Sequence, residues 1–247
     1  MLIEQAAYAS SWRHISPVAK GLLALGGLCA AFAAVTAAGS LAVAALLLVI
    51  TCLLAKVPVG LYLRIAAPAL LFLALGSVPL AVSLTSDATS GALTLAVTPD
   101  AMTQLARVCS RSLGALAALL LLVLTTPLPD LISLLRRLKT PELLLDLMVL
   151  CYRMLFVFSA AVHDTLTAQS ARLGYATPRL ALRSLGGLSA NLAVQVWQRA
   201  QALHTAAQAR NNDGPLRFLT PQFAHARRDS GLAVLVGGAL IMLGRLL

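Results

Sequence analysis

Residues 21–55 contain no charged side chain, and 65–86 and 112–128 are also uncharged. A helix needs about 20 apolar residues to cross a bilayer, so the first run is long enough for a helical hairpin. Lipid offers no water to satisfy backbone N–H and C=O groups, so runs of this length must be helical. Composition points the same way. Hydrophobic residues make up 59% of the 247 and charged residues 11%, too thin a polar skin for a soluble domain. The sequence predicts an all-α, polytopic integral membrane protein with about five transmembrane helices. Gly39-Ser40 is the expected turn inside the first run. A final apolar stretch, 231–243, is short for a crossing unless it extends through Arg245, whose stem can snorkel. The apolar residues from Leu22 read as a retained helix rather than a cleaved leader, because mixed polar residues precede them and further apolar segments follow.

Charge is distributed unevenly. Positions 127–229 hold 12 of the 19 Lys and Arg, whereas 65–106 hold none and include Asp87 and Asp100. Basic residues concentrate on the cytoplasmic side of membrane proteins. The 127–229 segment is therefore expected inside and the 85–103 loop outside. Arg13 and Lys20 put the N-terminus inside, and Lys56 with Arg64 marks the next inner turn. Arg107 and Arg111 break the pattern and are expected at the outer headgroups or facing the helix bundle. Three regions follow: 1–126 as N-terminal transmembrane helices, 127–229 as a helical cytoplasmic or interfacial region, and 230–247 as a C-terminal transmembrane helix.

Within the inner region, Pro127, Pro129 and Pro141 punctuate the chain, because proline starts or ends helices but does not continue them. Residues 130–139, DLISLLRRLK, predict an amphipathic helix with an acidic start and a basic end, which suits its macrodipole. Pro141 opens a long helical pattern that is apolar nearly all round as far as residue 162, apart from Asp146 and Arg153. That half fits a span or a helix lying beneath the bilayer. The pattern turns polar at His163-Asp164 and stops near Gly174, the expected C-cap. A linker is expected around Pro178, a second long helix from Leu185, and a stop at Asn211-Asn212-Asp213-Gly214-Pro215.

Both long helices end on nearly the same string, TAQSAR at 167–172 and TAAQAR at 205–210. Alanine keeps the helix slim enough to enter a groove, and a terminal Arg offers a planar guanidinium to a carboxylate there. The plainer alternative is that Ala favours helices and Arg favours their C-termini. Two copies, each just before a helix stop in one inner region, favour a paired docking device.

Groups for chemistry are sparse. No G-x-x-x-x-G-K-[ST] occurs, so the chain has no P-loop. His14, His163, His204 and His225 lack zinc-ligand spacing. Cys29, Cys52, Cys109 and Cys151 stand singly and are expected as small buried thiols. The expected crossings carry no carboxylate for a proton or cation path, unless 141–162 spans and brings Asp146 with it. Catalytic and metal-binding residues are therefore expected to be none. The basic inner face suits anionic lipid, and it lacks the aromatic interleaving that nucleic acid would require.

The chain resembles the T component of energy-coupling factor (ECF) transporters, of the cobalt, CbiQ-like type. The likeness rests on Thr125-Thr126-Pro127, on Tyr152-Arg153 in a long helix, and on two Ala-Arg-x signatures. Those signatures are Ala171, Arg172, Leu173 and Ala209, Arg210, Asn211. The resemblance implies that each ends a coupling helix docking on one of two ABC ATPase subunits. ATP and Mg would be bound by those subunits, with no cofactor in this chain. A separate membrane S subunit, CbiM-like and accompanied by a small CbiN-like subunit in some systems, would bind the metal ion. The implied location is the bacterial plasma membrane. In that family Gly or another small residue more often follows the Arg, so Leu173 and Asn211 depart from the pattern. Nickel and vitamin importers of the same type are the nearest alternatives. A conventional ABC permease carries one coupling signature per chain, and a stand-alone membrane enzyme would need a catalytic cluster.

Overall fold

The computed structural model describes residues 2–81, 83–86, 93–96, 99–211 and 226–246. Asp87, the 212–215 part of the expected helix stop, and His225 lie outside the described residues. Among the described residues nine α-helices occur: α1 (Leu2–Ala9), α2 (Pro17–Ala33), α3 (Ala37–Val49), α4 (Val59–Ala81), α5 (Pro99–Thr125), α6 (Leu128–Arg137), α7 (Glu142–Ala171), α8 (Pro178–Ala209) and α9 (Ala226–Leu246). A 3₁₀ turn, Ser11–His14, precedes α2, and α3 runs on into a π turn, Ile50–Leu54. Between α4 and α5 the chain forms a small antiparallel hairpin, β1 (Ser83–Ser86) and β2 (Leu93–Ala96), with Ser83 opposite Ala96. Among the described residues the class is all-α with this one hairpin, which the expected all-α architecture does not include.

Among the described residues, five helical stretches are long and apolar enough to cross a membrane: Ala37–Leu54, Val59–Pro79, Met102–Thr125, Glu142–Ala171 and Ala226–Leu246. The chain is a multi-pass membrane protein. The membership of the five differs from the expected set. Helix α2, a shorter apolar helix of 17 residues, is not among them, and α7 is. Helix α9 does reach past Arg245, as the snorkelling argument required.

The turn of the first hairpin is not at Gly39-Ser40. It falls between α2 and α3, where the Thr36 hydroxyl accepts a hydrogen bond from the Gly39 amide and caps α3. Gly39 and Ser40 lie within α3 and are buried. Here the small residues serve close helix packing rather than a turn.

The chain divides into two compact units, Met1–Leu134 with Pro221–Leu247, and Leu135–Thr220. In the first, α2 packs along α9 and α5, while α3 and α4 pack on α5. The approach is close enough to exclude side chains. A Cβ on Gly26 would lie 2.8 Å from the Gly237 Cα, and one on Gly114 would lie 2.6 Å from the Ala31 Cβ. Without a hydrophobic drive between helices in lipid, such backbone proximity supplies the dispersion contacts that hold a bundle together. This accounts for a core rich in alanine, including Ala24, Ala30, Ala31, Ala44, Ala117 and Ala118.

The cysteines correct another expectation. Cys29 and Cys151 are exposed, and Cys52 and Cys109 are half-buried, all as free thiols. An apolar position in a bilayer-spanning helix need not face the core, because lipid satisfies it equally well.

Candidate partner-docking site

The Thr125-Thr126-Pro127 turn that ends α5 is built around a buried cation. The Thr125 hydroxyl donates to the Leu121 carbonyl of its own helix, at 2.6 Å. The Thr125 carbonyl would ordinarily accept from the amide four residues on, but that residue is Pro129, which has no N–H. Lys20 fills the gap. Its Nζ donates to the Thr125 carbonyl at 2.8 Å, and the side chain is almost wholly buried. A cation in the first turn of α2 opposes that helix's dipole, whereas at the C-terminus of α5 it is favourable.

Asp130, in the first turn of α6, is also buried. Burial pushes its carboxyl above the ordinary range, and the nearby Lys20 and Arg13 cations only partly oppose this. Arg111 performs the matching task elsewhere in this unit. It donates to the carbonyl of Ala34, the C-cap of α2, at 3.2 Å, so it faces the bundle, one of the two places expected for it.

In the second unit α7 and α8 are about 45–50 Å long at 1.5 Å per residue. Helix α8 starts at Pro178 rather than at Leu185. Thr177 accepts from the Leu180 amide at 3.3 Å, and Pro178 occupies the first helical position, where its missing N–H costs nothing. A proline that looked like a linker is a helix start. Along α7, Tyr152 meets Phe156 edge-on, with ring centroids 5.1 Å apart.

The two Ala-Arg-x signatures occupy equivalent places. Arg172 and Arg210 are the C-caps of α7 and α8, with φ and ψ of −95° and 17° against −100° and 11°. Each is followed by a residue in the left-handed region, Leu173 at φ 58° and Asn211 at φ 50°. The Leu173 amide donates to the Ser170 carbonyl at 3.0 Å, and the Asn211 amide to the Gln208 carbonyl at 2.9 Å. At the first end the Gly174 amide also donates to the Gln169 carbonyl, at 2.9 Å, which completes a Schellman motif. Ala171, Arg172 and Leu173 are exposed, as are Ala209, Arg210 and Asn211.

This geometry explains why a small residue suits the position after the Arg. That position is left-handed, and glycine or asparagine adopts it at low cost. It also corrects the expected role of Gly174. Leu173 takes the positive φ, while Gly174 is needed for space: a Cβ there would lie 2.7 Å from Ser184 Oγ and 2.9 Å from the Gln169 carbonyl oxygen.

Residues that sequence reasoning did not single out connect the first end to α8. Gln169 Nε2 donates to the Ser184 carbonyl at 3.0 Å, and Tyr175 donates to Gln169 Oε1 at 2.6 Å. Ser184 Oγ donates to the Gly174 carbonyl at 2.9 Å. The glutamine inside the repeated string was the available signal. Among the described residues, no group of three or more His, Cys, Asp and Glu side chains is gathered as a metal site.

The fold therefore defines a polytopic α-helical membrane protein whose second unit carries two matched, arginine-capped helix ends. Comparison with known sequences narrows this class. The pattern of the cobalt transport protein family CbiQ matches residues 9–220, and the chain belongs to that family. It is 32% identical over 245 residues to the cobalt transport protein CbiQ of Rhodobacter capsulatus, covering 99% of this chain and 98% of that one. The CbiQ protein of Salmonella typhimurium is 29% identical over 210 residues, 82% of this chain and 93% of its own. A putative fused cobalt transport protein CbiMQ of Methanocorpusculum labreanum is 33% identical over 154 residues, 61% of this chain and 25% of that longer protein.

Proposed function

We propose that this chain is the transmembrane coupling subunit of an ECF-type importer for a transition-metal ion, with cobalt as the ion its relatives' names indicate. It passes ATP-driven motion from two ABC ATPase subunits to a substrate-binding membrane subunit and carries out no catalysis itself. ATP and Mg belong to the ATPase subunits. The metal ion is cargo, held by a CbiM-like subunit, and the fused CbiMQ relative supports that neighbour. In this reading the 127–229 segment is cytoplasmic or interfacial, so α7, although long and apolar enough to cross, lies at the inner face of the membrane and both Arg-capped ends face the cytoplasm.

One observation carries the reading. Arg172 and Arg210 cap two long helices with the same backbone geometry and are both exposed. A matched pair of guanidiniums on slim, alanine-rich ends suits two copies of one acidic groove, as two similar ATPase subunits would present. Large apolar side chains on α7 and α8, among them Leu143, Leu155, Leu182 and Trp197, are exposed as well. Such residues call for lipid or a partner to cover them.

The test is co-purification in mild detergent. Two ATPase subunits and a CbiM-like membrane subunit are expected to accompany the chain. Recovery of the chain alone under conditions that preserve its fold would overturn the assignment.

A further inference from the structure

The two Arg-capped ends agree in backbone, yet the first is tied to a second helix. Gln169 lies one turn before Arg172, and both of its amide groups are used. Its backbone carbonyl accepts from the Arg172 amide at 3.2 Å and from the Gly174 amide at 2.9 Å. Its side chain bridges to the far side of the turn, donating to the Ser184 carbonyl and accepting from Tyr175 Oη. The orientation of that amide follows from chemistry, since a carbonyl can only accept and only the oxygen end can take the tyrosine proton.

Ser184 closes the ring by donating to the Gly174 carbonyl. Gln169, Tyr175 and Ser184 are each partly buried, whereas Arg172 is exposed. The network thus holds the backbone around the arginine while leaving the guanidinium free to engage a partner. At the other end Gln208 sits one residue nearer its arginine. Among the described residues, that end is held by its own cap hydrogen bonds to the Ala207 and Gln208 carbonyls.

We propose that Gln169, with Tyr175 and Ser184, is a positioning device that presents Arg172 to its ATPase subunit in a preformed conformation. The proposal rests on the coupling role given above. A docking arginine on a frayed helix end would lose affinity to the cost of ordering it on contact. The braced end avoids that cost, and force applied at Arg172 passes into α8 as well as α7.

Measuring each end separately tests this. Binding of the ATPase subunits that co-purify with the wild type is determined in two backgrounds. Arg210→Ala leaves only the first end, and Arg172→Ala leaves only the second. Tyr175→Phe removes a single oxygen. It is expected to weaken binding about threefold to tenfold in the Arg210→Ala background, the value of one hydrogen bond, and to leave the Arg172→Ala background unchanged. Gln169→Leu, which deletes both side-chain bonds at similar volume, should act in the same background and at least as strongly.

Thermal melting of each variant establishes that it is folded. Equal loss in both backgrounds would reduce the network to general stability and overturn the proposal. No loss in either would overturn it too, provided the Arg172→Ala/Arg210→Ala double variant still releases the ATPases. Retention of the ATPases by that double variant would instead remove the coupling role itself, and this proposal with it.

Discussion

Lys20 Nζ lies 2.8 Å from the carbonyl oxygen of Thr125, the one acceptor at the end of α5 that Pro129 leaves without its backbone donor. Replacing the lysine by methionine keeps the stem and removes the donor, so a buried carbonyl is left unpaired. Such a loss costs about 1–3 kcal/mol. Lys20→Met is therefore expected to lower the melting temperature in detergent, with Lys20→Arg retaining part of the stability. A methionine variant as stable as wild type would show that water or a neighbouring donor serves the carbonyl equally well.

Asp130 gives a pH dependence of defined sign. Its folded-state pKa is raised by burial, so the folded protein takes up a proton at this site before the unfolded chain does. The stability it contributes is fully present below the ordinary carboxylate pKa and is lost as pH rises through the raised value. The stability difference between wild type and Asp130→Asn should shift in favour of wild type as pH falls through that window. Melting curves across acidic and neutral pH measure it, and parallel curves for the two proteins would contradict the assignment.

Leu173 occupies a left-handed position that disfavours branched side chains. Leu173→Gly is expected to stabilise the second unit by up to about 1 kcal/mol, and Leu173→Val to destabilise it, because the β-branch crowds the following carbonyl. Gly174→Ala should cost about 1–3 kcal/mol, as overpacking typically does, since its Cβ would meet the Gln169 carbonyl and Ser184. Amide hydrogen exchange at the end of α7 reads both effects locally.

Arg172 and Arg210 act as a bivalent clamp in the proposed assembly. Breaking one buried charged pair costs about 2–5 kcal/mol. Either Arg→Ala change alone should impair uptake while leaving some assembly, and the double change should release the ATPases without reducing the amount of inserted protein. Arg→Lys at either position should recover only part of the activity, because an ammonium cannot make a planar two-point contact. Full assembly and uptake by the double variant would reduce the repeated strings to ordinary helix ends.

Orientation is open to direct labelling in a background without the four native cysteines. A cysteine at Ser86 should react with an impermeant reagent from outside intact cells. One at the exposed Gln201 should react only after lysis. The reverse pattern would invert the charge-based topology.

Local chemistry made parts of this protein legible in advance. The acidic start and basic end of α6 and the proline before α7 marked those helices correctly, because caps and dipoles act within one turn. Misreadings arose where one residue type serves two purposes. Pro178 opens α8 instead of a linker, Gly39 and Ser40 pack inside α3 instead of turning the chain, and Gly174 supplies room while Leu173 supplies the left-handed turn.

The amino acids by themselves determined the helical, membrane-crossing class, since long uncharged runs leave the helix as the form that satisfies every backbone group in lipid. They also determined that two helices would end on arginine. Which distant groups meet was decided only by the tertiary structure: Lys20 at Thr125, Arg111 at Ala34, Gly26 at Gly237, and Ser184 at Gly174. Small residues allow helices to approach in many registers, and periodicity does not choose among them. The choice falls to the packing of whole helices, where a buried cation must find a carbonyl and two glycines must align.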